Sequence, residues 1–359
     1  MRLKILAQIS LFLLCAFNAG SIADEELPAV RTLPCITPCA NSTPAVGLTQ
    51  PLPPYPHEFL VSNETYVEGY VRLLFKIKTD GHVSDISVLS TVGPQVFADV
   101  TVKAVKDWIY KPATLNGKAV ETCRNFVMTF TMQGFGRGGR PAIAQAYRDA
   151  IESVKGEKWD DAQAILTTAS SIPKLNLYER GMLANLASLI SLKKADYFEA
   201  HRISTVALSY TSGELPLSVR RSLLKTRIQS ALMLSDIVDA QEARDRLKSL
   251  GGVDDDDPVM KAVEEVKSKA DAMPLFAASA KIPEVSDGQN TFIGLYRRTF
   301  AFRDIKGSLS DFTLACKQQA VESKITDTAE WHVPKSWSDC RVAVHGAQGT
   351  TFKLVQATD

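Results

Sequence analysis

The residues of this 359-residue chain that could do chemistry are few and widely spaced. His57 and Glu58 begin the His-Glu-x-x-His zinc pattern, but Val61 stands where the second ligand belongs. His82, His201, His332 and His345 have no ligand spacing, and there is no nucleophile elbow, Walker loop or dinucleotide fingerprint. The sequence therefore predicts no enzyme, no metal and no cofactor. Trp331-His332-Val333-Pro334 with Trp337 is the one aromatic cluster that could line a hydrolytic or ligand site. Aromatic residues grouped in a small domain more often form its core, and that is the expectation for these.

Of the six cysteines, Cys15 lies in an N-terminal apolar run, leaving Cys35, Cys39, Cys123, Cys316 and Cys340. Cys316 and Cys340 stand alone in the C-terminal region and are the natural disulfide pair, closing a loop worth roughly 3 kcal/mol in the chain-entropy model. Cys35 and Cys39 could close on each other, or one could reach Cys123 and leave the other free. Their Cys-x-x-x-Cys spacing is neither a zinc knuckle nor a redox pair.

Arg2 and Lys4, the run from Ile5 to Phe17, and small Ser21 and Ala23 ahead of Asp24 read as a signal peptide over residues 1–23. The run is shorter than the roughly 20 residues of a membrane helix. Membrane attachment is expected only if it stays uncleaved. Cleavage leaves 39 basic against 40 acidic residues, a balance that implies no nucleic-acid partner.

The elements that would position any site follow from periodicity. Residues 24–50 form a Pro/Ser/Thr-rich leader with little pattern, and order is expected from Tyr55. Val71, Leu73, Phe75 and Ile77 alternate with Arg72, Lys76 and Lys78, broken by Leu74, as in a strand with one solvated face. Thr79-Asp80-Gly81 supplies a hairpin and His82–Ser90 a second strand. Phe97, Val100, Thr101, Ala104, Val105 and Trp108 make a helical stripe, and Phe126, Met128, Phe130 and Met132 a third alternating strand. Residues 134–141, rich in Gly and Arg, read as a hinge.

From 142 to 273 nearly every window is helical, and Trp159-Asp160-Asp161-Ala162 is echoed by Tyr197-Phe198-Glu199-Ala200 and Ile237-Val238-Asp239-Ala240. That suggests three helix pairs of tetratricopeptide-like character, with the small Ala permitting close helix approach. Asp254–Asp257 lacks the alternation and glycine of a calcium loop. Residues 290–359, with short apolar runs between turns, predict a small disulfide-linked antiparallel β-domain. The fold class is thus α+β and multidomain: a ββαβ unit at 51–133, helical repeats, and the C-terminal β-domain.

Tyr55-Pro56, Glu68-Gly69-Tyr70-Val71, Asp80-Gly81, Phe97, Trp108-Ile109-Tyr110-Lys111-Pro112-Ala113 and Asn116-Gly117-Lys118, in this order, resemble the TonB C-terminal domain family. The resemblance implies a periplasmic domain that adds an extended peptide of an envelope protein or outer-membrane transporter to its sheet edge. It maps that contact to Tyr55, Pro56, Arg124, Asn125, Phe126, Val127, Met128, Thr129 and Phe130. Energy-transducing members keep a membrane anchor and a long spacer, whereas here the leader is short and the signal reads as cleavable. The expectation is a periplasmic adaptor with a second protein partner on the helical repeats. The alternative is an inner-membrane-anchored transducer for TonB-dependent transport.

Overall fold

A computed structural model describes residues 31–32, 42–61, 67–131, 138–210, 215–251, 254, 256–284, 290–316, 320–326, 328–335 and 337–358. The expected signal segment, Cys35, Cys39 and residues 134–137 lie outside them. Among the described residues no helix is long and apolar enough to cross a membrane.

The first half runs β1 (Arg31–Thr32), β2 (Ser42–Thr43), β3 (Val46–Thr49), α1 (His57–Val61), β4 (Gly69–Ile77), β5 (Val83–Val92), α2 (Val96–Lys106), β6 (Ile109–Lys111), β7 (Ala113–Leu115), β8 (Lys118–Val120) and β9 (Thr122–Phe130). Strands β5, β4 and β9 form an antiparallel sheet with β4 in the middle. Helix α2 covers one face, where Val71, Leu73, Phe75 and Ile77 meet Phe97, Val105, Trp108 and Tyr110. Gly69 exists for this packing, since a Cβ there would sit 2.2 Å from the Phe97 ring. At the β4–β5 hairpin, Gly81 has φ +86°, the left-handed conformation that glycine adopts without strain, and its N–H reaches Lys78 O at 2.9 Å.

Two expectations are corrected here. Order does not begin at Tyr55: β2 pairs with β7 and β3 with β6. These strands leave Val46 and Leu48 exposed, so they are held by backbone pairing and carry no burial pattern to read. The second face of β4 is not solvated either. Tyr70 is fully buried against Tyr210, Arg72 lies over the Phe292 ring, and Lys76 pairs with Asp85 and Glu322. Leu74, which breaks the alternation, is buried on this covered side.

Helices α3 (Pro141–Lys155), α4 (Trp159–Ser170), α5 (Leu177–Lys193), α6 (Tyr197–Tyr210), α7 (Leu217–Leu234), α8 (Ile237–Ser249) and α9 (Pro258–Ala272) follow. Trp159, Tyr197 and Ile237 each open a helix. Two residues earlier, Glu157, Ala195 and Ser235 each take φ near +60°, and the next amides, Lys158, Asp196 and Asp236, each reach back five residues to a carbonyl. Three helix hairpins thus share one left-handed turn that closes the preceding helix. Ala162, Ala200 and Ala240 are fully buried, as close helix approach requires. The described end of the Gly/Arg stretch is tied to this array: Arg140 makes a two-armed ion pair with Glu179, itself 1% exposed, and Gly138 O accepts from Asn176 Nδ2.

The C-terminal strands are β10 (Leu275–Lys281), β11 (Asn290–Gly294), β12 (Thr299–Lys306), β13 (Leu309–Ala315), β14 (Ala320–Lys324), β15 (Glu330–His332), β16 (Arg341–Gly346) and β17 (Thr351–Ala357). They form two sheets, ordered β1-β15-β12-β17-β10 and β11-β16-β13-β14. Phe300, Phe302, Phe312, Trp331, Trp337 and Phe352 pack in one core, so the aromatic cluster is structural. Cys316 and Cys340 are bridged as expected.

Candidate functional site

The residues assigned to a partner-binding edge fall on two levels. Tyr55 donates its hydroxyl to Val67 O at 2.6 Å and packs edge-on against Phe59, Phe97 and Phe130. Pro56 is buried beside it. Both fix the entry of the chain beneath one end of β9 and present little surface. Phe130 is 2% exposed and stacks on Phe97 at 4.5 Å, so it anchors the strand from inside.

The remaining candidates lie along β9 itself. Phe126 is half-buried against Trp108, Met128 is half-buried, and Arg124 lies over the Tyr110 ring with its guanidinium donating to Ala45 O. Asn125, Val127 and Thr129 point to the other face and are exposed, Val127 by 48%. The pairing of β9 with β4 runs without interruption from Gly69↔Phe130 to Ile77↔Thr122. Beyond β9 no strand is paired among the described residues, so its outer backbone groups form a straight, regular edge.

The opposite edge differs. The register of β5 against β4 shifts twice, between Arg72 and Leu73 and between Leu74 and Lys76, and Asp85 sits in the left-handed region at φ 48°. Such bulges twist an edge away from a docking strand.

A second concavity escaped the sequence reading. A cavity of about 650 Å³ opens where β4 and β5, helices α6 to α8, and strands β10, β11 and β16 meet. On its floor Asp239 accepts from His201 Nε2 at 2.9 Å and from Arg227 Nε at 2.8 Å, while Arg341 pairs with Glu242. Burial alone would raise the Asp239 carboxyl, but His201 and Arg227 hold it below the usual carboxylate range. Asp236 receives the Asp239 amide as a helix cap, and burial, with Asp239 beside it, pushes its carboxyl up to about 6. Arg72, Asp236 and Phe292 are far apart in sequence, and the only hint of their meeting was the Leu74 break. Among the described residues no cluster of His, Cys, Asp and Glu has metal-site geometry.

Residues 51–132 match the family model described as Gram-negative bacterial TonB protein C-terminal. This segment, under a quarter of the chain, is therefore TonB C-terminal-like. The solution NMR structure of Pseudomonas aeruginosa TonB CTD is similar at 26% identity, covering 27% of this chain and 96% of that one with a TM-score of 0.24. Phpd with cadmium complexed with hydroethylphosphonate aligns at 9% identity over 82% of this chain and 65% of its own, with a TM-score of 0.10. No curated protein matches the chain.

Proposed function

We propose that this protein is a non-enzymatic periplasmic adaptor that captures an extended peptide from an envelope protein or outer-membrane transporter by adding it to β9. The observation that carries this reading is the nine-residue uninterrupted β4–β9 register with no strand paired beyond it among the described residues. An extended chain there would satisfy the open amides and carbonyls, and the exposed faces of β9 would supply choice. The TonB C-terminal match of the same residues supports it. The three helix hairpins are tetratricopeptide-like in this reading and hold a second protein partner. The alternative, an inner-membrane-anchored energy transducer, is separated from the adaptor by the first residue of the mature protein: Asp24 fits the adaptor, and Met1 in the membrane fraction fits the transducer.

The test is a proline scan of synthetic peptides copied from the periplasm-facing N-terminal segments of outer-membrane transporters, with binding to the full chain followed by fluorescence anisotropy. Only alternate amides of an added strand face the edge, so affinity should fall at least tenfold at every second position. Losses without a two-residue period would exclude strand addition.

A further inference from the structure

The charges around the 650 Å³ cavity pair off almost completely. Glu199 holds Arg202, Asp239 holds His201 and Arg227, Glu242 holds Arg341, and Glu284 holds Lys281. Three lining groups make no direct ion pair among the described residues, although His201, Arg227 and Arg341 act on Asp236 through space. Arg72 has only the Phe292 ring beneath it. Asp196 and Asp236, at equivalent turns of successive helix hairpins, each accept only a backbone amide of their own helix. Apolar surface from Phe198, Phe292, Leu89 and Ile293 completes the lining, and the volume lies in the range of small-molecule sites.

We infer that this cavity binds a small zwitterion of the amino-acid or short-peptide class, its carboxylate on Arg72, its ammonium on Asp236, and its apolar side chain against Phe198 and Phe292. The guanidinium offers a planar fork suited to a carboxylate, and its seat on Phe292 fixes the direction of that fork. An ammonium beside Asp236 supplies the direct ion partner that this buried carboxylate does not find in His201 or Arg341. Because Arg72 comes from the TonB-like sheet, Asp236 from the helices and Phe292 from the C-terminal strands, an occupant ties the three together.

The experiment is isothermal titration of the full chain with L-leucyl-L-phenylalanine and L-phenylalanine, then with the N-acetyl and C-amide forms of whichever binds. Either free zwitterion should bind, and blocking either end should weaken binding at least tenfold. Arg72→Gln should abolish discrimination against the amide only. Asp236→Asn, which keeps a capping side chain, should abolish discrimination against the acetyl form only. Failure of both free zwitterions to bind, or equal binding of the blocked forms to the native protein, would overturn the inference, and neither outcome depends on the variants folding.

Discussion

The two edges of the TonB-like sheet are built from similar residues and end in opposite conditions. Strand β5 is bulged twice against β4 and backed by the cavity through Leu89 and Ser90, whereas β9 keeps perfect register over nine residues and has no strand paired outside it among the described residues. One edge is therefore bulged away from stray pairing, and the other keeps the regular geometry that a docking strand would need. The proposed site is defined by regularity of backbone more than by any side chain.

The largest effect should come from the inner support of the open edge. Phe130→Ala removes the stacked partner of Phe97 and should cost about 3–5 kcal/mol in denaturant unfolding. A much smaller loss would mean that β9 is held by pairing alone. Behind the bulged edge, Asp236→Asn should stabilise the protein at pH 7, where burial and the neighbouring Asp239 work against the ionised native carboxyl. The native carboxyl holds its proton up to about 6, so its contribution is present below the unfolded value near 4 and is lost as pH rises between the two. The variant should lack that decline in a pH series of melting temperatures. Asp239 works the other way: its ion pairs contribute above its unfolded value and fade as pH drops below it, so acid should weaken both proteins alike. The smallest effect belongs to the open edge itself. Val127→Ala should change stability by less than about 0.5 kcal/mol while altering peptide affinity a few-fold. A large stability loss there would show that β9 is covered in solution.

What was legible in the sequence was what burial patterns record. The stripe Val71, Leu73, Phe75, Ile77 located β4, the alternation of Phe126, Met128 and Phe130 located β9, and the buried Ala162, Ala200 and Ala240 marked the helix hairpins. The cysteine pair was legible because Cys316 and Cys340 had no nearby competitor. The bulges of β5 were not, since a register shift leaves the alternation of side chains only slightly disturbed. Strands β2 and β3 were missed because edge pairing asks little of side chains. The cover over the second face of β4 was missed because Arg72 and Lys76 read as solvated, although long basic side chains pack their stems and find ring or carboxylate partners at an interface.

The central claim is that β9 is the receiving edge. Amide hydrogen exchange of the full chain, measured by mass spectrometry with and without a bound transporter-derived peptide, tests it directly. New protection is expected only at residues 122–130, with 83–92 unchanged. Protection that appears at 83–92, or only on the helices, would contradict it.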